Sequence, residues 1–93
     1  MRKLKKPIKT HSFNGHKYTI RVVPQGVHGV CDQPGQDETL LIATDPNTCN
    51  GLITAIHEAM HASDYHKKEA DVDRCSKDIG RFLWRLGYRI KEQ

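Results

Sequence analysis

Two histidines four residues apart, His57 and His61, limit how this chain can fold more than any other feature of its sequence. Residues four apart lie on the same face of an α-helix, with about 5–6 Å between their Cβ atoms, so both imidazoles can face one ion when the segment is helical. Apolar residues with helical spacing surround them: Leu52, Ile53, Ile56, Ala59 and Met60. We therefore predict a helix that begins at residues 45–47, with Asp45 or Asn47 as its N-cap, and ends near Ser63.

Glu58 directly follows the first histidine and completes the pattern His57-Glu58-x-x-His61. A carboxylate at this position can reach a water bound to the same metal ion and take its proton. Zinc lowers the pKa of its bound water to about 7 and polarises a carbonyl group, which is the chemistry of peptide hydrolysis. The pattern predicts a zinc site with Glu58 as general base. The alternative is a surface helix with two solvated histidines.

A catalytic zinc normally has three protein ligands and a water, so a further ligand is expected downstream. The candidates are Asp64, His66, Glu69, Asp71 and Asp73. Glu69 is favoured because it lies in the first turn of the second predicted helix, where the helix dipole favours a carboxylate. His66 is the alternative ligand, although it follows His61 one residue too soon for the metzincin spacing. Asp73, one turn after Glu69, is predicted to accept the free N–H of a ligand histidine.

The first half of the chain predicts short β-strands separated by turns. Asn14-Gly15 favours a type I′ hairpin, and the alternating residues 18–23 favour a strand that stops at Pro24. Further strands are predicted at residues 27–32 and 39–44, with turns at residues 25–26 and 33–36.

A second helix is predicted over residues 68–86, with Gly87 as its stop signal. Its apolar residues repeat at intervals of three and four and form a single-face stripe: Val72, Cys75, Ile79, Phe82, Leu83 and Leu86. The fold class is therefore α+β, a small antiparallel β-sheet followed by two packed helices. Residues 8–93 are predicted to form a single domain, and residues 1–7 a basic flexible tail.

Composition excludes several classes of protein. No apolar run is long enough to span a bilayer, and the basic N-terminus lacks the apolar core of a secretory signal. Cys31, Cys49 and Cys75 are odd in number and widely spaced, which argues against a disulfide framework and a thiolate zinc site. We expect a cytoplasmic protein that does not enter membranes.

The chain has a net charge of +4, and several of its basic residues cluster near the C-terminus. Arg81, Arg85 and Arg89 are spaced by four, which predicts a continuous ridge on the second helix, and Trp84 and Tyr88 could stack on bases. The alternative function is therefore a catalytically silent, metal-stabilised binding module with nucleic acid as a candidate partner. A solvated helix face explains the same charges without a partner.

The pattern His57-Glu58-x-x-His61 followed by Glu69-x-x-x-Asp73 resembles the gluzincin branch of the zinc metallopeptidases. The resemblance implies that His57, His61 and Glu69 are zinc ligands, that Glu58 is the catalytic base, and that Asp73 supports the first histidine. The chain departs from that pattern in the short spacer between His61 and Glu69.

The segments 29–32 (GVCD), 57–62 (HEAMHA) and 81–88 (RFLWRLGY) resemble small single-domain metallopeptidases found in bacteriophage genomes. This resemblance implies a minimal zincin fold and, for a phage-encoded protein, action in the host cytoplasm. Its substrate is expected to be a peptide or protein that lies extended along a sheet edge. Tyr65, His66 and Tyr88 are candidate donors to the oxyanion.

Overall fold

The computed structural model describes residues 8–26, 28–33, 35 and 38–90. Four strands precede two helices: β1 (Thr10–Phe13), β2 (His16–Val22), β3 (His28–Cys31), β4 (Thr39–Ala43), α1 (Cys49–Ser63) and α2 (Glu69–Leu86). This arrangement confirms the predicted α+β class. The tail predicted for residues 1–7 lies outside the described residues, as do parts of the strand predicted to begin at residue 27 and of the turn predicted at 33–36.

The four strands form one sheet in the order β1-β2-β4-β3, and this sheet is mixed rather than antiparallel. β1 pairs with β2, and β3 with β4, in antiparallel fashion, whereas β2 and β4 are parallel. The prediction of a purely antiparallel sheet was wrong because it assumed that consecutive strands are neighbours. Instead β4 lies between β2 and β3, which leaves β1 and β3 as the edges.

The β1–β2 hairpin confirms the predicted turn. Asn14 and Gly15 have φ angles of 50° and 80°, the two positive values that a type I′ turn requires, and Phe13 is paired with His16. Along β2, the inward residues alternate with exposed ones, as expected for a strand with one face covered.

The core lies between the sheet and the C-terminal half of α1. Tyr18, Leu40 and Ala62 are at most 2% exposed, and partly buried residues pack around them: Phe13, Ile20, Cys31 and Ile42. The Tyr18 hydroxyl donates to the Asp32 carbonyl at 3.0 Å, so this polar group is satisfied inside the core. Because Ala62 follows His61 directly, the core also anchors the end of α1 that carries the second histidine.

α1 begins later than predicted, at Cys49, and its N-cap is Thr48. The Thr48 hydroxyl accepts a hydrogen bond from the Gly51 amide at 3.0 Å. Asp45 and Asn47, the predicted caps, belong to the preceding turn, in which Asp45 Oδ1 accepts from the Asn47 amide at 2.9 Å. An aspartate side chain that accepts a hydrogen bond from the amide two residues later forms a turn. Because this turn occupies residues 45–47, the helix begins after it.

α2 packs on α1 and, within the described ranges, touches no strand. Its buried residues are Val72, Ser76 and Gly80. The predicted apolar stripe is therefore only partly buried: Ile79 is 44% exposed, and Phe82 and Leu86 are each 61% exposed.

The small residues of α2 explain why its large apolar residues do not face α1. A Cβ atom on Gly80 would lie only 2.5 Å from Ile53 Cγ1 and 3.1 Å from its Cα, so the two helix backbones approach closely at this point. Close approach is possible only where side chains are small, and the larger apolar residues of α2 therefore lie beside the contact.

Within the described part of the chain, no helix has both the length and the apolar character needed to cross a membrane.

Gly80→Ala is expected to lower the free energy of unfolding by about 1–3 kcal/mol, because the new methyl group overlaps Ile53. Intrinsic helix propensity alone acts in the opposite direction, since alanine is favoured over glycine by about 1 kcal/mol in a helix interior. Urea unfolding of the two proteins, with the exposed Arg81→Ala as control, measures the difference. A stabilised Gly80→Ala protein would contradict the close helix contact.

Candidate metal centre

The C-terminal half of α1 and the first residue of α2 meet at three side chains. His57 Nε2 lies 2.8 Å from Glu69 Oε1, and His61 Nε2 lies 2.7 Å from Glu69 Oε2. The ligand atoms of these three residues all lie within 4.8 Å of one another. The two oxygens of one carboxylate thus join two imidazoles that are one helical turn apart.

The short connection between the helices brings Glu69 to this position. The Asp64 amide donates to the Met60 carbonyl at 2.9 Å, which ends α1, and Asp64 Oδ1 accepts from the His66 amide at 3.2 Å. These bonds turn the chain back within five residues, 64–68. Asp64 serves the turn, and neither it nor His66 joins the metal-ligand group found among the described residues.

The donor set fits a zinc ion. Two imidazoles and one carboxylate are a known ligand combination of catalytic zinc, which leaves a position for water. Ligand atoms around a tetrahedral zinc are about 3.3 Å apart, as follows from zinc–ligand bonds of about 2.0–2.1 Å. The histidine side chains are only 19% and 15% exposed and are held by packing, whereas the Glu69 side chain is 69% exposed. Glu69 is therefore the member of the group with the most freedom to adjust around an ion.

Ser76 orients the first histidine. Its hydroxyl is fully buried, lies 3.4 Å from His57 Nδ1, and donates to the Asp73 carbonyl at 3.1 Å. Because a hydroxyl has one hydrogen to donate, its oxygen is left to accept from Nδ1–H of His57. When a metal is bound, that tautomer presents the lone pair of Nε2 to the ion.

Asp73 does not have the predicted supporting role through its side chain. Its Oδ2 atom accepts a hydrogen bond from Lys77 Nζ at 3.0 Å, one turn along the solvent-facing side of α2. The group next to His57 is Ser76 instead, because the buried side of α2 passes through Val72, Ser76 and Gly80. Only the backbone carbonyl of Asp73 takes part, as the acceptor for the Ser76 hydroxyl.

Glu58 is 7% exposed and lies between α1 and the edge strand β3. A Cβ atom on Gly29 of β3 would be 2.9 Å from Glu58 Cγ and 2.5 Å from the Leu41 carbonyl oxygen, so a side chain there would displace the carboxyl group. Burial raises the pKa of Glu58, and the neighbouring His57 and His61 oppose that rise in part. A raised pKa makes the carboxylate a stronger base than one in water.

A cleft of about 360 Å³ opens beside the three-residue group. Its walls are Cys31, His61, Tyr65, Lys67 and Glu69. The Tyr65 ring centroid lies 6.3 Å from that of His61, so the phenol borders the centre. Burial raises the pKa of the Cys31 thiol to about 11, which keeps it protonated at neutral pH and a poor metal ligand.

Tyr88, another predicted oxyanion donor, lies at the wrong end of α2. The helix has 18 residues and spans about 27 Å at 1.5 Å per residue. Glu69 begins this helix and Tyr88 comes after its last residue. Tyr88 therefore cannot reach the metal group of its own chain, and this prediction is wrong.

The predicted ridge of three arginines is also wrong. α2 ends at Leu86, and Gly87 adopts the left-handed conformation with φ of 103°. Arg89 then folds back, with its Cζ 3.2 Å from the Trp84 ring centroid and Nη1 donating to the carbonyls of Trp84 and Tyr88 at 2.9 Å each. Of these three arginines, Arg81 and Arg85 lie on the exposed surface of α2 and Arg89 lies beyond its end.

Neither a family model, nor a curated protein, nor a solved structure gives a significant match to this chain. The resemblance to gluzincins and to small phage metallopeptidases therefore stays a prediction.

Two residues of the site were not predicted from the sequence. Ser76 follows Glu69 by seven residues, which places both on one side of α2, so its position was available from helical spacing. Gly29 lies within a predicted strand, where a glycine often marks the close approach of another group.

Ser76→Ala is expected to weaken zinc binding about 10- to 100-fold, because His57 loses the acceptor that orients its ring. Asp73→Ala is the matched control: it removes a neighbouring polar side chain that pairs with Lys77, and zinc affinity should be unchanged. Competition with a zinc-binding dye measures both. A larger loss in Asp73→Ala would restore the original assignment to Asp73.

Proposed function

We propose that this protein is a zinc-dependent peptide hydrolase, in which His57, His61 and Glu69 hold the ion and Glu58 is the general base. The observation that supports it most is the position of Glu69, whose two oxygens lie 2.8 and 2.7 Å from the imidazoles of a different helix. Exposed carboxylates are common. Two histidines in contact with one carboxylate, next to a buried glutamate, are the residue types of a hydrolytic zinc centre.

The bound zinc would supply Lewis acidity, polarising a scissile carbonyl and lowering the pKa of a water. Ser76 and Glu58 have the remaining roles in this proposal. Ser76 holds His57 in the ligating tautomer. Glu58, whose pKa is raised by burial, takes the proton of the attacking water and delivers it to the leaving amine.

The substrate in this proposal is an extended peptide or a flexible segment of a protein. β3 is an edge strand that borders Glu58 through Gly29, so its free side is available for main-chain hydrogen bonds to a peptide. Val30 on this strand is 51% exposed and offers an apolar contact to a substrate side chain. The protein would act in the cytoplasm, where its free cysteines Cys31, Cys49 and Cys75 remain reduced.

Tyr65 is the remaining candidate for stabilising the oxyanion. It lies in the wall of the cleft next to His61 and is 38% exposed, so its hydroxyl can meet a bound substrate. His66 lines a second cavity and not the cleft beside the metal-ligand group, whereas Tyr65 borders both. Tyr65 is therefore better placed than His66 or Tyr88.

Glu58→Gln is expected to reduce peptide hydrolysis about 10²- to 10⁴-fold while zinc binding is retained, because the amide cannot accept the proton. Cleavage of a quenched fluorescent peptide library by zinc-loaded protein measures the loss, and metal analysis measures occupancy. The control is Asp71→Asn, a change to an exposed carboxylate of the same helix turn as Glu69.

Hydrolysis retained by zinc-loaded Glu58→Gln would eliminate Glu58 as the base. A wild-type protein that binds zinc, gains stability from it and cleaves no member of the library would favour the silent, metal-stabilised binding module instead.

Tyr65→Phe is expected to lower kcat about 10²- to 10³-fold with little change in zinc affinity, because a donor to the oxyanion is lost. Tyr88→Phe removes the same hydroxyl at the far end of α2 and should leave kcat unchanged. Steady-state kinetics on one cleaved peptide compares them. Equal activity of Tyr65→Phe and wild type would leave the oxyanion role to a backbone amide.

A further inference from the structure

One side of α2 exposes an apolar ridge that nothing in the chain covers among the described residues. The ridge consists of Cys75, Ile79, Phe82 and Leu86, of which the last three are 44%, 61% and 61% exposed. Their spacing of four, three and four residues is that of the apolar seam in a coiled coil. Because α2 packs on α1 through Val72, Ser76 and Gly80, the ridge lies beside that contact and is free for another helix.

Two charged residues border the ridge on the same edge. Asp78 directly precedes Ile79, and Arg85 directly precedes Leu86, so the two charges are seven residues apart along α2. Neither forms an ion pair with another residue in the described ranges. This edge is where charges of facing helices meet in a coiled coil and select orientation and register.

We propose that two copies of this chain associate through α2, with the helices antiparallel and the twofold axis between Gly80 and Arg81. In this register Ile79 packs on the partner's Phe82, and Cys75 packs on the partner's Leu86. Every member of the ridge is then buried against another apolar side chain. Asp78 lies beside the partner's Arg85, and Arg85 beside the partner's Asp78, so the dimer forms two symmetric ion pairs.

Charge complementarity selects this arrangement over its neighbours. A shift of one heptad would place Asp78 against the partner's Asp78, two like charges at the centre of the interface. In a parallel pair, the edge with Asp78 and Arg85 would face the other edge of the partner helix. The residues on that other edge are Ser76 and Leu83, so no ion pair can form there. The antiparallel register shifted by one heptad would also pair Asp71 with the partner's Arg85, but the register centred between Gly80 and Arg81 joins unlike charges twice without a like-charged pair.

The size of the ridge makes the dimer concentration-dependent. From Cys75 to Leu86 it extends about 17 Å along the helix at 1.5 Å per residue, which is short for a permanent interface. The metal-ligand side chains do not belong to the ridge. The dimer therefore does not depend on the proposed hydrolytic function, and either can fail without the other.

Sedimentation velocity of the full chain from about 1 µM to about 1 mM, a range that covers weak interfaces, tests the proposal. Wild type should shift from monomer to dimer over this range. Phe82→Asp should remain monomeric, because it places a charge in the seam. Ile8→Asp is the matched control, since Ile8 is also 61% exposed but lies away from α2, and it should dimerise like wild type.

The register is tested by exchanging the charges. Asp78→Arg and Arg85→Asp should each raise the dimer dissociation constant about tenfold or more, because each creates like-charged pairs. The double variant Asp78→Arg/Arg85→Asp restores unlike pairs and should recover wild-type dimerisation. Circular dichroism and zinc binding should be unchanged in all variants, which separates lost association from lost folding.

A wild-type chain that stays monomeric at about 1 mM, well above the range of weak specific contacts, would overturn the proposal, whatever other protein the ridge binds. A dimer that survives in Phe82→Asp would also overturn it, since another surface would then hold the copies together. Failure of the double charge exchange to restore dimerisation would reject the antiparallel register.

Discussion

Close packing of α2 on α1 brings together the residues of the candidate metal centre. Gly80 meets Ile53 and allows the two backbones to approach, and the same side of α2 brings Ser76 to His57. The short connection before α2 then leaves Glu69 within hydrogen-bonding distance of two imidazoles. A bulkier residue on this side of α2 would push the carboxylate away from both histidines. The His57, His61 and Glu69 group therefore depends on helix packing and on the short connection together.

The core formed by the described residues is small for a chain of 93 residues. Its buried apolar side chains are Tyr18, Leu40, Ala62 and Val72. Small domains bury a low fraction of their surface and often rely on additional cross-links. A metal ion that joins α1 to the start of α2 would be such a cross-link, because its binding free energy adds to the stability of the folded state. It would also compensate the buried charge of Glu58, whose desolvation is unfavourable on its own.

Local signals in the sequence predicted the elements well, and contacts between distant segments explain the errors. The Asn14-Gly15 turn, the end of α1 and the stop at Gly87 depend on neighbouring residues alone, and each is as expected. The position of β4 between β2 and β3 depends on pairing across the sheet, which no short pattern encodes. The grouping of His57, His61 and Glu69 followed from helical spacing and a short connection. The role given to Asp73 failed because spacing alone cannot tell which side of α2 faces α1.

The insertion of β4 between two earlier strands has a consequence for the order of assembly. β3 pairs only with β4 among the described strands, so it has no partner in the sheet until the chain has been synthesised through Ala43. β4 must also align parallel to β2, with Thr19 opposite Thr39, and contacts between distant segments form slowly because closing a long loop is entropically unfavourable. During synthesis the β1–β2 hairpin, closed by the two-residue Asn14-Gly15 turn, can therefore form before β3 has any partner.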